Sequence, residues 1–141
     1  MKVRDAMAKT ISTAPPQATV EDVALLMKEE DCGFIPIVDE EQHILGVVTD
    51  RDIVIRCLAG RHDDVLHEPI EHVMTRSAWT VSPDDDLETA AHEMAVHEVR
   101  RLPVVENERI VGVLSYGNLE QALHAEGPAA EEATLGVTRG A

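Results

Sequence analysis

The stretch Ile44-Leu45-Gly46-Val47-Val48-Thr49-Asp50-Arg51-Asp52-Ile53 runs from a short, β-branched apolar segment straight into the acid-rich start of a helix, and the chain contains this pattern twice. Displaced by 66 residues, Gly46 and Val47 fall on Gly112 and Val113, Thr49 on Ser115, Asp52 on Asn118 and Ile53 on Leu119. Upstream the register is 67, which lays Met7 on Met74, Thr13 on Thr80, Pro16 on Pro83, Glu21 on Glu88, Ala24 on Ala91, Met27 on Met94, Pro36 on Pro103 and Val38 on Val105. Two copies of one unit fill most of the 141 residues, and internal repetition decides architecture before any single residue does.

Within each copy the punctuation is the same. Thr19 followed by Asp22 forms a capping-box pattern, and Val20, Val23, Ala24 and Met27 mark one helical face that ends near Cys32-Gly33. Phe34 to Val38 and Ile44 to Thr49 read as two strands across the polar turn Asp39 to His43, and Arg101 to Val105 with Ile110 to Ser115 repeat them. Asp86 opens the second copy of the first helix. A further helix starts near Asp50, with Ile53, Val54, Cys57 and Leu58 as its apolar face, and its counterpart starts near Tyr116. The expected fold class is therefore α+β, two strand-helix-strand-strand-helix repeats packed as one module. Repeat 1 is assigned to residues 1–60, a connector to 61–69, repeat 2 to 70–124 and a flexible acidic tail to 125–141.

Composition limits the functions open to such a chain. With 27 acids against 12 Lys and Arg, the formal charge of -15 repels polyanions, so no nucleic-acid polymer is expected as a partner. One Trp, one Tyr and one Phe leave no series of aromatic stacking platforms. No apolar run of membrane-spanning length and no signal-peptide pattern is found, so a cytoplasmic protein without membrane attachment is expected. Cys32 and Cys57 have neither metal nor redox spacing and are read as reduced core residues. His62, His67 and His72 are five apart, as are His92 and His97; this does not stack them as i, i+4 metal ligands, so surface histidines and no metal site are expected. Met7, Met27, Met74 and Met94 occupy repeat-equivalent places and are read as core. The run Asp84-Asp85-Asp86 is read as a helix start. No phosphate-binding glycine loop, nucleophile elbow or paired catalytic carboxylates occur, so no catalytic residue is assigned.

The segment Ile44 to Ile53 and the segment Arg100-Arg101-Leu102-Pro103-Val104-Val105, at this spacing and twice over, resemble the CBS repeat, named after cystathionine β-synthase. The resemblance covers about residue 3 to about residue 124, and Thr-Asp-Arg-Asp-Ile-Val-Ile (residues 49–55) is similar to stand-alone CBS pairs of the actinobacterial hypoxic-response type. It implies a non-enzymatic regulatory protein, in the area of energy sensing and stress response, without a resident cofactor. An adenosine compound would lie between the repeats; AMP, ADP, ATP and S-adenosylmethionine all share the ribose that the site would hold. The resemblance assigns Asp52 to the ribose hydroxyls, Thr49 and the helix N-terminus to phosphate with Arg51 beside them, and Thr75, Trp79, Val99 and Arg101 to the facing positions. A weaker second site would use Ser115 and Asn118 facing Ser12, Cys32 and Phe34. There Asn118 stands where repeat 1 has an acid, and Tyr116-Gly117 where it has Asp50-Arg51, a loss of about 1 kcal/mol or more for a charge-assisted ribose contact.

Plainer readings of the same residues stand beside this one. Asp52 taken alone is an acid at a helix N-terminus and Thr49 its cap; the Gly-x-x-Thr-x-x-Asp spacing within a repeat is what favours a ligand. Arg100 and Arg101 also fit a solvated edge pair, and Trp79 a core anchor. A homodimer through the repeat helices and an unknown downstream protein are the expected partners. A ligand-free homodimeric interaction module is the alternative function. A regulatory fragment of a larger enzyme or transporter is disfavoured by the start at Met1 and the lack of sequence beyond the pair, and an enzyme in its own right comes last.

Overall fold

In the computed structural model, which describes residues 1–60, 63–76 and 79–125, Phe34–Val38 (β1) and Ile44–Thr49 (β2) form an antiparallel hairpin. Arg101–Glu106 (β4) and Arg109–Ser115 (β5) form its repeat. Both turn where the sequence places polar residues: Asp39 Oδ1 accepts from the backbone N–H groups of Glu41 and His43, each at 2.9 Å. Those bonds, the His43 one first, lower the Asp39 pKa.

The leading strand of the repeat is much shorter than the others. In repeat 2 it is Thr75–Arg76 (β3), which pairs with β2; in repeat 1 it is a single bridge from Ala8 to Val113 on β5. A further residue of each copy, Ala14 or Val81, bridges in parallel to Ile37 or Val104 and bonds to the carbonyl of Pro36 or Pro103. The leading strand thus pairs with the hairpin of the other copy. As a consequence the two compact units are residues 12–78, and residues 1–11 together with 79–141.

Glycine is required where the leading strand crosses the hairpin. A Cβ on Gly46 would lie 2.5 Å from the Thr75 carbonyl oxygen and 2.9 Å from Met74 Sδ; one on Gly112 would lie 2.7 Å from the Ala8 carbonyl oxygen and 2.8 Å from Met7 Sδ. The two methionines bury their thioethers against repeat-equivalent glycines.

In the unit 12–78, helix α2 (Val20–Glu30) starts with the expected reciprocal cap: Asp22 N–H donates to Thr19 Oγ1 at 3.1 Å and Thr19 N–H to Asp22 Oδ2 at 3.0 Å. It stops at Asp31, whose φ of 50° is left-handed. Val20, Val23 and Met27 are buried with Ile35, Ile37, Val48, Cys57, Ile70, Val73 and Met74. Ala24, expected inward, is exposed. Asp50–Asp52 (α3) continues into a π-helical segment, Ile53–Leu58, closed by the Ala59 N–H donating to the Val54 carbonyl. This widened turn corrects the expected apolar face. Cys57 is buried and Ile53 partly so, while Val54 and Leu58 point outward, because bonding five residues back stacks residues 53 and 57 on one side and 54 and 58 on another. Within 63–76, two single 3₁₀ turns, Val65–His67 and Ile70–His72, hold the chain against the start of α2 through Val20 N–H to Glu68 O and Ile70 N–H to Ala18 O.

In the other unit, α4 (Leu87–His97) buries Leu87, Ala90, Ala91 and Met94, ends at left-handed Glu98, and packs on α5 (Tyr116–His124), which buries Leu119 and Leu123. The short α1 (Val3–Ala6) places fully buried Val3 in the same core. The acid run does more than start α4. Lys2 Nζ lies 2.8 Å from Asp86 Oδ1, the Arg4 guanidinium pairs with Asp84, and the backbone N–H groups of Val3 and Arg4 donate to the carbonyls of Asp85 and Pro83. Among the described residues no helix is long and apolar enough to cross a membrane. The expected tail from residue 126 onward, and His62, lie outside the described residues.

Candidate functional site

Strand β2 ends where helix α3 begins, and this junction fixes Thr49 and Asp52. The Asp52 N–H donates to Thr49 Oγ1 at 3.1 Å and the Thr49 N–H donates to Asp52 Oδ2 at 2.9 Å. The Asp50 N–H donates to the Gly33 carbonyl at 3.0 Å, and the Asp50 carboxylate occupies the space a Gly33 side chain would need, 2.6 Å from an ideal Cβ. Glycine at 33 therefore leaves room for the Asp50 carboxylate at the helix start.

The cap uses part of the chemistry expected of these residues. It takes one acceptor position on Asp52 Oδ2; Oδ1 accepts no hydrogen bond and faces the Arg56 guanidinium at ion-pair distance. Thr49 only accepts in the cap, so its hydroxyl proton has no partner among the described residues. The Asp52 side chain keeps 17% of its surface in water, enough for a ligand to reach. Arg56, which the sequence reading did not single out, sits one turn on: its Nε is 3.8 Å from Asp52 Oδ1, and its Nη1 donates to the carbonyls of Val73 and Met74 at 3.2 Å each. The i, i+4 spacing from Asp52 was the available signal. Through Arg56 the helix start is tied to the chain just before Thr75, which lies half-buried in β3 opposite Val47. Arg51 is exposed, its N–H donating to Asp50 Oδ1 at 2.8 Å.

The repeat-equivalent junction has a different wiring. The Asn118 N–H donates to Ser115 Oγ at 3.1 Å, but the Ser115 hydroxyl donates in turn to Asn118 Oδ1 at 2.8 Å. The proton that Thr49 leaves available is thus occupied here, and no carboxylate is present. The Tyr116 N–H donates to the Arg100 carbonyl at 2.7 Å, and the Arg100 guanidinium lies 4.5 Å over the Tyr116 ring. Tyr116 thereby takes the place of Asp50 and gives Arg100 a partner, which a plain solvated edge would not.

The remaining expected residues are placed as follows. Arg101 is exposed at the start of β4, opposite Ser115; Phe34 is partly buried opposite Thr49. Val99 packs on its unit's core. Cys32 is half-buried with its Sγ 3.7 Å from the Phe34 carbonyl, and Ser12 is half-buried. Trp79 is not a core anchor: it is 54% exposed and stacks on His97 at 3.7 Å between ring centroids, 9° from parallel. His97 in turn bonds Glu93 at 3.0 Å. The unit 12–78 holds Thr49, Arg51, Asp52 and Thr75 together with Ser12, Cys32 and Phe34; the other holds Trp79, Val99, Arg101, Ser115 and Asn118. Among the described residues no three or more His, Cys, Asp or Glu are grouped to hold a metal ion.

Comparison with known proteins agrees with this architecture. The CBS domain family pattern matches residues 3–58 and 70–125. The CBS domain-containing protein YhcV of Bacillus subtilis is 38% identical over 118 residues, 83% of this chain and 81% of that protein. Hypoxic response protein I, solved with two coordinated zinc ions, superposes with a TM-score of 0.79 at 27% identity, over 86% of this chain and 98% of that one. CBSX2, solved in complex with AMP, gives 0.77 at 26% identity over 89% and 98%. The CBS domain pair of MJ0100, solved with 5'-methylthioadenosine and S-adenosyl-L-methionine, gives 0.79 at 25% identity over 90% and 98%. With two copies of the domain matched in tandem across most of its length, the chain belongs to the CBS domain family.

Proposed function

We propose that this chain is a non-enzymatic regulatory module that binds an adenosine nucleotide or adenosyl compound through Thr49 and Asp52, and that acts as a homodimer on a downstream protein. The observation that carries the reading is the state of the Thr49–Asp52 cap: it fixes both side chains, yet leaves a carboxylate oxygen and a hydroxyl proton available at a helix start. A ribose diol donates to the carboxylate, and the threonine hydroxyl with the adjoining N–H groups donates to a phosphate or carboxylate of the ligand. Relatives solved with AMP and with S-adenosyl-L-methionine support this ligand class. Ser115 and Asn118, whose hydroxyl proton and amide oxygen are bonded to each other, make the equivalent position weaker.

The test is calorimetric titration with AMP, ADP, ATP and S-adenosylmethionine of the wild type, Asp52→Asn and Asn118→Asp. Asn at 52 keeps an acceptor for the Thr49 N–H, so it separates ligand binding from capping. The expected result is saturable binding near one site per chain, weakened about tenfold or more in Asp52→Asn, with the stoichiometry rising toward two in Asn118→Asp. Unchanged affinity in Asp52→Asn overturns the assignment. Arg101→Ala and Trp79→Ala in the same titration measure the parts that the family resemblance gives those side chains.

A further inference from the structure

Asp52 and Arg56 occur together in one copy of the repeat and are replaced together in the other. Their equivalents 66 residues on are Asn118 and Ala122, so repeat 2 has neither the carboxylate nor the guanidinium. The helix differs with them: Arg56 lies in the π-helical segment Ile53–Leu58, whereas Ala122 lies in the α-helix α5. A single π-helical turn is rare and is frequently found at functional sites. Here it carries an arginine whose Nε is 3.8 Å from Asp52 Oδ1 and whose Nη1 donates at 3.2 Å to the carbonyls of Val73 and of Met74. The fold does not require arginine at this point, since repeat 2 makes the same strand-to-helix junction with alanine there.

We infer that Arg56 is a positioning residue of the ligand site: it aims the unbonded oxygen of Asp52 at the ribose and holds the helix start in register with Thr75. The inference rests on the ligand reading above and adds a residue to it. Asp52 Oδ2 is fixed by the Thr49 N–H at 2.9 Å, but Oδ1 accepts no hydrogen bond, so without Arg56 the carboxylate is held at one oxygen alone. At 3.8 Å the guanidinium steadies Oδ1 by charge without filling its lone pairs, and a ribose hydroxyl can still donate to it. The other end of the guanidinium acts on a different stretch. Val73 and Met74 are buried and lead directly into Thr75, so one planar group ties residues 49–52 to Thr75, both of which are expected to meet the ligand. A lysine carries one point charge and no planar fork, so it could not span a carboxylate and two carbonyls. With 48% of the Arg56 side chain in water, the ion pair adds little to stability, and its effect is on geometry.

Calorimetric titration with AMP, ADP, ATP and S-adenosylmethionine tests this in the wild type, Arg56→Met, Arg56→Lys, Asp52→Asn and Arg56→Met combined with Asp52→Asn, with circular dichroism to confirm folding. Arg56→Met is expected to weaken binding roughly threefold or more. Arg56→Lys keeps the charge and loses the fork, and is expected to weaken binding nearly as much. Added to Asp52→Asn, Arg56→Met is expected to cause no further loss, because its effect runs through that carboxylate. A merely structural role would instead lower the melting temperature in both backgrounds and add to the Asp52→Asn loss. Wild-type or tighter binding by Arg56→Met, full affinity in Arg56→Lys, or additive losses in the double variant overturn the positioning role and leave the ligand reading standing. A wild type that binds none of the four compounds removes the ligand reading and this inference with it.

Discussion

Alanine at Gly46 tests the crossing of leading strand and hairpin most directly. The new Cβ would lie 2.5 Å from a backbone oxygen of Thr75, and a backbone atom, unlike a side-chain tip, cannot rotate away. Either β3, only two residues long, must lift from β2, or β2 must bend, and both loosen buried Met74 and Val48. Overpacking of this kind costs about 1–3 kcal/mol, which for a chain of this size lowers Tm by roughly 3–12 °C. Gly112→Ala meets the Ala8 oxygen at 2.7 Å and is expected to behave alike. Gly117 is the internal control: nothing lies closer than 3.8 Å to its Cβ position, and it sits within α5, so Gly117→Ala gains about 0.5–1 kcal/mol. The assay is thermal unfolding followed by far-UV circular dichroism, with urea midpoints as a second scale. Gly46→Ala melting within a degree of wild type would refute the reasoning, since the crossing would then have slack that the close approach denies. Shortening the thioether, as in Gly46→Ala with Met74→Ala, is not expected to rescue, because the Thr75 carbonyl remains.

Four further outcomes are expected. Thr49→Ala removes the acceptor of the Asp52 N–H and lowers the urea unfolding free energy by about 1 kcal/mol, while Thr49→Ser retains most of it. Asp31→Gly and Glu98→Gly relieve left-handed residues at equivalent helix ends, each raising stability by about 0.5–1 kcal/mol in the same urea series. Lys2, through its hydrogen bond and charge, lowers the Asp86 pKa; stability from that pair is present above the ordinary carboxylate range and lost as pH falls through the lowered value. Lys2→Met should therefore flatten the acid limb of a Tm-versus-pH curve, and high salt should do the same to the wild type. Removing the imidazole stacked on Trp79 changes the surroundings of the single tryptophan, so His97→Ala is expected to alter Trp79 emission relative to the wild type at constant pH.

The hairpins and helix starts were legible because they rest on local signals: β-branched runs end at Thr49 and Ser115, and each of these is followed by the residue that completes its cap. The repetition made these signals countable. What escaped the sequence depended on distant partners or on a change of helical pitch. Nothing in Ile53 to Leu58 announces a π-helical turn, so the face built from i, i+4 spacing came out rotated, with Val54 and Leu58 wrongly inward. The docking of Lys2 and Arg4 on the acid run joins residues 80 and 84 apart, and Asp84 to Asp86 alone look like any helix start. At the candidate site the pair Thr49 and Asp52 was readable and Arg56 was not, because its role comes from the carbonyls of Val73 and Met74 that the fold brings beneath it. Trp79 was ambiguous for the same reason: exposure follows from what it stacks on.

The exchange of leading strands also sets an order of events during synthesis. The unit 12–78 is continuous in sequence and can close as soon as Thr75–Arg76 leaves the ribosome. Residues 1–11 are made before that unit yet belong to the one completed after it, since Val3 is buried against a core that includes Leu119 and Leu123. Residues 1–11 therefore wait, with the Val3 side chain unburied, until the chain as far as Leu123 has emerged.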